Sequence, residues 1–195
     1  TISINGALAR CLDTDDNGRI WVGGQDELRY IAADSTNTMK YFSLTHLIDE
    51  ACKPLGLVRQ VYVASEGVYF ITNNCIVLIN GNSEISWFPK TIFHRTYFVS
   101  NNIYTIQPDV ALTVIEDNSI KLVPKGEMFE KTKIYCMIPF DKNHILLGTQ
   151  NKGFYLYNTQ ALTDKSIHPD SIIKPFNTNN NKFFLREFLK NFKLN

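Results

Sequence analysis

The sequence is short of the features that mark a specialised environment. Lys and Arg number 20 against 19 Asp and Glu, a formal net charge of +1. No strong field therefore draws the chain to nucleic acid or to an anionic membrane surface. No apolar run approaches the ~18 residues of a transmembrane helix. No signal-peptide pattern opens the chain, although an export signal removed before Thr1 is compatible with it. Cysteine is sparse: Cys11, Cys52, Cys75 and Cys136, with no C-x-x-C pair. That spacing fits neither a zinc knuckle nor a dense disulfide framework. Cys11, Cys75 and Cys136 sit in apolar, strand-like stretches and read as buried free thiols, with a single disulfide as the alternative. Motifs of enzyme chemistry are missing as well. There is no G-x-S-x-G, no H-x-x-x-H, and no Gly-rich loop opening a helix to cradle phosphate.

Apolar material is plentiful by contrast. Hydrophobic residues make up 44% and aromatics 12% of 195 residues, including 13 Phe and 9 Tyr. This suffices for a sizeable core, excludes intrinsic disorder, and suits one domain or two small ones.

Four stretches share one plan of short β-rich runs separated by polar turns. The first has Cys11-Leu12-Asp13, Ile20 to Gly24 and Leu28 to Ile31. The second has Val58 to Ala64, Gly67 to Ile71 and Cys75 to Ile79. The third has Thr96 to Val99, Ile103 to Ile106, Ala111 to Ile115 and Ser119 to Val123. The fourth has Ile134 to Ile138, Ile145 to Thr149 and Gly153 to Tyr157. Second runs that begin at Ile20, Val68, Ile103 and Ile145 are 48, 35 and 42 residues apart. Short strands at that period are the mark of a β-propeller, whose four-stranded blades take roughly 40–50 residues each. Asp16-Asn17-Gly18, Glu66-Gly67, Asn73-Asn74, Ser100-Asn101-Asn102, Asp117-Asn118 and Lys142-Asn143 fall between the runs. Such residues tolerate the left-handed backbone of tight hairpins.

Two stretches break the pattern. Leu44, Leu47, Ile48 and Ala51 have helical spacing and predict a short helix over residues 44–52. In the tail, Phe184, Phe188 and Phe192 lie four apart with Leu185 and Leu189 beside them, and Asn181 stands where an N-cap would. This stripe reads as packing onto the core. Lys182, Arg186, Lys190 and Lys193 read as the polar face of the same helix.

Chemistry-bearing residues are scattered. Asp13-x-Asp15-x-Asn17-Gly18-x-Ile20 matches the first half of a calcium loop, with oxygen ligands at alternate positions and a Gly at the sharp turn. The closing Glu should stand at position 24, which is Gly, and Glu27 comes three residues late. The segment therefore reads as a polar hairpin turn; Asp13, Asp15 and Asn17 are the residues a calcium ion would use. His46, His94, His144 and His168 read as surface or packing residues. Asp15-Asp16 and Glu116-Asp117 read as solvated turn pairs. Trp21 and Trp87 would stack sugars if they faced a channel.

"GRIWVGGQDELRYI" (18–31) and "ILLGTQNKGFYLYN" (145–158) resemble the two-component-regulator propeller repeat: a turn Gly, Ile-Trp or its equivalent, a small-residue pair, then an apolar strand. "GVYFITNNCIVLING" (67–81), "PKGEMFEKTKIYCMIPFDKNHILLGT" (124–149) and "FNTNNNKFFLREFL" (176–189) extend the likeness over nearly the whole chain. Together they resemble the N-terminal sensor β-propeller of Bacteroidetes hybrid two-component sensors and triple-tyrosine-motif transcriptional regulators. The second and third stretches lack the Gly-Thr pair after the second strand. In that family the Ile-Trp is a core pair, which implies that Trp21 packs between blades.

The resemblance implies an all-β propeller of four-stranded antiparallel blades. Approximate repeats are 11–57, 58–94, 95–133 and 134–175, with 176–195 as the start of a further blade or a packing helix. About four blades plus the start of a fifth then form part of a ring of about seven, or a fragment whose open edges self-associate. The resemblance further implies a periplasmic, non-catalytic ligand-sensing domain without cofactors. Its partners would be a small-molecule or oligosaccharide ligand and downstream modules of the same membrane-anchored receptor, where any kinase activity would lie. Two other readings stay open: a propeller enzyme acting on carbohydrate, as glycosidase or lyase, and a protein-interaction scaffold.

Overall fold

A computed structural model describes residues 9–177. The aromatic and basic tail stripe over 181–193 lies outside the described residues.

The apolar runs form strands, and consecutive strands pair antiparallel into four sheets of four. The first holds β1 (Ala9–Thr14), β2 (Ile20–Gly24), β3 (Leu28–Ala33) and β4 (Met39–Ser43). The second holds β5 (Gln60–Ala64), β6 (Gly67–Ile71), β7 (Ile76–Asn80) and β8 (Ser83–Trp87). The third holds β9 (Arg95–Val99), β10 (Asn102–Gln107), β11 (Ala111–Glu116) and β12 (Ser119–Leu122). The fourth holds β13 (Ile134–Pro139), β14 (His144–Thr149), β15 (Phe154–Asn158) and β16 (Ile173–Phe176). Hairpin chemistry closes the turns. Asp117 and Asn118 adopt φ of 48° and 55° between β11 and β12, the two left-handed positions that short polar residues accept at least cost.

Burial sorts the strands within a sheet. β6, β7, β10 and β11 are buried on nearly every residue, so both faces are covered. β4 and β12 are largely exposed. Sheets covered on both faces need continuous apolar runs in their middle strands, and that is what β6 (Gly-Val-Tyr-Phe-Ile) and β7 (Ile-Val-Leu-Ile-Asn) supply.

The chain divides into two compact units, Thr1–Asn101 and Asn102–Asn195. In the first, one apolar cluster joins the first and second sheets. Trp21 and Leu28 come from the first, and Val61, Val68, Phe70, Val77 and Ile79 from the second. The connection between them adds Leu44, Ile48, Cys52, Leu55 and Val58 to the same cluster. The helix expected over 44–52 is replaced by two 3-10 turns, Thr45–Leu47 and Glu50–Cys52. Ile48 and Asp49 between them are extended, and the Asp49 carboxylate caps the second turn by accepting from Ala51 N. Leu44, Ile48 and Cys52 still reach the core along this path, at the four-residue spacing that one face of a helix would also give, while Ala51 is exposed.

Two further contacts tie the first sheet to the second sheet and to the connection between them. Asp13 Oδ2 accepts from Val63 N at 2.8 Å, and Gly24 O accepts from Val58 N at 3.0 Å. Gly23 lies under this seam. A Cβ there would meet Cys11 Sγ at 2.6 Å and collide with the Val58 side chain.

In the second unit, Thr105 and Thr113 face each other across β10 and β11, their hydroxyls 3.0 Å apart, and Gln107 Nε2 donates to Thr113 Oγ1. Tyr104 and Tyr157 meet edge to face at 6.1 Å, both fully buried. Burial pushes both phenols well above their ordinary pKa. Among the described residues neither hydroxyl has a hydrogen-bond partner.

Two outcomes are expected. Gly23→Ala should destabilise the chain by about 1–3 kcal/mol, the usual cost of overpacking, in a urea titration; an unchanged midpoint would mean that the seam yields freely. Tyr104→Phe and Tyr157→Phe should each leave the melting temperature unchanged or raise it, because a buried unmade hydrogen bond costs about 1–3 kcal/mol. A fall would show that a solvent molecule satisfies these hydroxyls in solution.

Candidate functional site

The β1–β2 turn is organised by one carboxylate. Asp15 Oδ1 accepts from Asn17 N and Arg19 N, both at 3.0 Å, and Asp15 Oδ2 accepts from Trp21 Nε1 at 3.1 Å. The turn thereby fixes the indole and sends the Arg19 side chain back over β3. The Arg19 guanidinium lies 5.6 Å from the centre of the Tyr30 ring. Tyr30 in turn lies against Trp21 on one side, at 5.2 Å, and stacks on Phe42 at 4.8 Å on the other.

The β5–β6 turn supplies a second carboxylate. Glu66 Oε1 accepts from Tyr69 OH at 2.8 Å, and Glu66 Oε2 accepts from Ser65 Oγ at 2.9 Å and from Asn101 Nδ2 at 3.5 Å. Burial pushes this carboxyl up, but the hydrogen bonds from Tyr69, its own backbone, Ser65 and Asn101 outweigh that and hold it below its ordinary value. Gly67 completes the turn at φ 144°, with Leu78 Cδ1 only 2.9 Å from where a Cβ would stand. A side chain there is excluded by backbone and space alike.

Between these turns and the β7–β8 turn opens a cleft of about 360 Å³, contained within the first unit. Its walls are Trp21, Tyr30, Leu44, Val68 and Ile79; its polar groups come from Asp15, Arg19, Ser65, Glu66, Asn80 and Asn82. Arg19, Asn80 and Asn82 are exposed, whereas Trp21 is buried. The volume lies at the lower end of the 300–1,000 Å³ range of small-molecule sites. A guanidinium and two amides beside an aromatic wall offer paired donors and acceptors to a polyhydroxylated or carboxylated ligand.

The residues singled out in the sequence fall as follows. Asp13 and Asp15 serve different partners: Asp13 reaches Thr14 N and Val63 N, while Asp15 holds its own turn, with Asn17 contributing its backbone N–H. Among the described residues no group of three or more His, Cys, Asp or Glu is placed to hold a metal ion. His46 lies in the first 3-10 turn of the connection. His144 Nδ1 lies 2.9 Å from Asp141 Oδ1. His168 caps a short helix, α1 (Pro169–Ile172), by accepting from Asp170 N. Trp21 packs between the first and second sheets against Phe70 and also walls the cleft. Trp87 is buried against Tyr69. Glu116 and Asp117 share Lys121, at 3.0 and 2.6 Å. All four cysteines are free; Cys52, Cys75 and Cys136 are buried and Cys11 is partly so.

Sequence reasoning did not bring Arg19, Glu66, Asn80 and Asn82 together. They look like ordinary turn residues, and only the stacking of two sheets makes neighbours of three turns. The available signal was that three turns adjoin the buried strands β2, β6 and β7.

No family model matches the chain, and no curated protein matches it. Solved structures do. A virginiamycin B lyase from Staphylococcus aureus is 15% identical over 88% of this chain and 56% of its own, with a TM-score of 0.54. YCF48 bound to D1 peptide is 11% identical over 82% and 54%, at 0.55. The extracellular domain of the one-component system BT4673 from B. thetaiotaomicron is 15% identical over 91% of this chain and 23% of its own, at 0.50. The chain thus spans a little over half of the first two and about a quarter of the third. Among the described residues no helix is long and apolar enough to cross a membrane. Four antiparallel four-stranded sheets and these neighbours identify the fold as an all-β propeller.

Proposed function

We propose that the chain is a ligand-sensing, extracytoplasmic propeller domain of a bacterial signal-transduction regulator, and that it binds rather than transforms its ligand. The observation that carries this reading is the state of the two carboxylates in the cleft. A general acid needs a proton near neutral pH, so its pKa must be raised. Glu66 is instead held below its ordinary value, and both oxygens of Asp15 and of Glu66 are occupied by donors of the protein itself. Such groups fix walls; Arg19, Asn80 and Asn82 at the mouth meet the ligand. The ligand class is a small polyhydroxylated molecule or oligosaccharide. The likeness to an extracellular domain of a one-component system supports the signalling role and the location, and the repeat resemblance to regulator propellers supports the same class. The signal would pass to downstream modules of the same receptor, or through self-association.

The neighbours named as virginiamycin B and streptogramin B lyases support a second reading, in which the domain turns over its bound ligand. One experiment separates the two. The chain is titrated with polysaccharide-derived oligosaccharides by calorimetry and melting temperature, and the ligand is recovered and weighed by mass spectrometry. Binding at a hundredfold excess over Kd should raise the melting temperature by about 5–10 °C, with the ligand returned intact. Arg19→Ala and Asn80→Ala should each weaken binding by about tenfold or more; Asn80→Ala should leave the melt of the free chain unchanged, and Arg19→Ala should lower it by at most about 4 °C through loss of its contact over Tyr30. A cleaved or eliminated product would overturn the sensing reading in favour of the enzyme. Binding that both variants leave intact would move the site elsewhere.

A further inference from the structure

Three Asn-Gly steps occur in the sequence: Asn5-Gly6, Asn17-Gly18 and Asn80-Gly81. The first lies outside the described residues. Asn17-Gly18 belongs to the β1–β2 turn, and Asn80-Gly81 opens the β7–β8 turn at the mouth of the cleft. The two steps are alike in exposure and in backbone. Gly18 has φ 75° and Gly81 φ 59°, and nothing lies within 4 Å of where a Cβ would stand on either. They differ in what holds the glycine nitrogen. Gly18 N donates to Asp15 O at 3.0 Å, and Asp15 Oδ1 fixes Asn17 N and Arg19 N on either side of it. Asn80 and Ser83 are partners in the β7–β8 ladder, which leaves Gly81 and Asn82 as the whole turn. Among the described residues the Gly81 N–H has no acceptor, and the Asn80 side-chain amide has no partner.

We propose that Asn80-Gly81 is a site of spontaneous covalent modification, at which the folded chain converts the Asn80 amide into a carboxylate. The Gly81 backbone nitrogen attacks Cγ of Asn80, a reaction within one chain that needs no second molecule to be brought up. An N–Cγ bond forms and the Cγ–Nδ2 bond breaks. The amide leaves as ammonia, carrying the proton that the Gly81 nitrogen gives up, and a cyclic imide remains. Water then adds to either imide carbonyl. Opening on one side gives aspartate; opening on the other gives isoaspartate, in which the main chain runs through the Asn80 Cβ. No electrons are exchanged, and water is the one co-reactant. Glycine at the second position leaves the attacking nitrogen open to approach, because there is no side chain beside it. At Asn17 the same attack first requires the Gly18 N–H to leave Asp15 O. The modification goes beyond the sensing role and does not rest on it. On the sensing reading its consequence is a site that ages, since an amide donor at the mouth of the cleft is exchanged for a negative charge.

The full folded chain is incubated at physiological temperature, at neutral pH and one pH unit above it. Aliquots are digested under mildly acidic conditions. Tandem mass spectrometry then places each mass increase of about 1 Da, the change from an amide to a carboxyl group, on Asn17, Asn80 or Asn82. Asn80 should convert faster than Asn17 by about three- to tenfold, the factor set by one main-chain hydrogen bond that must first break. Its rate should rise by about tenfold over the pH step, because the attacking nitrogen reacts in its deprotonated form. In concentrated guanidinium chloride, where both turns are lost, Asn17 and Asn80 should convert at similar rates. Asn80→Gln should abolish the conversion at position 80, since the longer side chain would have to close a larger ring, and should leave Asn17 as it was. Asn17 converting as fast as Asn80 in the folded chain, or Asn80 converting only after unfolding, would overturn the proposal. Both readings come from the unsubstituted chain and hold whatever the variant does.

Discussion

Burial of the middle strands on both faces is the condition that the rest of the structure meets. A strand so placed has no solvent face to carry polar side chains, so alternation disappears and the run becomes apolar throughout. β6, β7, β10 and β11 show this directly, with Val68, Phe70, Ile76, Val77, Tyr104 and Leu112 buried whichever way they point. Polar residues in these strands must then be paired internally. The Thr105–Thr113–Gln107 cluster does so in side chains packed across two strands. A chain with little charge imbalance and 44% hydrophobic residues can satisfy such a demand without helices.

In the first unit the same condition explains the connection over 44–58. Two sheets that bury facing surfaces must be joined by a segment that does not leave a gap at the edge of the interface. Leu44, Ile48, Cys52, Leu55 and Val58 fill it, and the extended residues between the two 3-10 turns set their spacing. The close approach of Val58 to β2 in turn admits no side chain at position 23. Packing at this seam also places the cleft. With Leu44 and Val68 fixed, the β1–β2, β5–β6 and β7–β8 turns gather around one opening.

The two-faced burial governs how much could be read from the residues alone. Middle strands were legible because Ile20-Trp21-Val22, Val68 to Ile71, Ile103 to Ile106 and Ile145 to Leu147 are dense in β-branched and aromatic residues and are bracketed by turns. β4, β8 and β16 were not. Met39 to Ser43 and Ser83 to Trp87 carry mixed, partly exposed residues. Ile173 to Phe176 follows a long connection with its own short helix and holds a Pro, which an outer strand accepts. β12 is an exception among outer strands, visible because Asp117-Asn118 announces its hairpin. The helical spacing at 44–52 misled, since an apolar segment crossing an interface places residues toward the core by a broken path as readily as by a helix. The cleft was illegible for a different reason. Its polar residues belong to three turns up to 63 residues apart, Arg19 to Asn82, and nothing local distinguishes them from turns that face only water.

What the cleft does follows from which of its groups are already committed. A carboxylate that accepts from two backbone amides and an indole, as Asp15 does, has its charge spread over fixed donors and would lose them on moving to a substrate. Glu66 is committed in the same way to Tyr69 and Ser65. The acids therefore shape the opening. Arg19 differs: its guanidinium lies over Tyr30 at the exposed lip, where a flat, weakly hydrated cation can keep its stacking contact while it turns its N–H edge to a ligand. A site in which the acids are fixed and the cation and amides face outward supports the proposed reading of the cleft as a recognition site. On the proposed sensing reading, a ligand held at this lip would rest against Trp21 and Tyr30, side chains that belong to the packing of the first and second sheets.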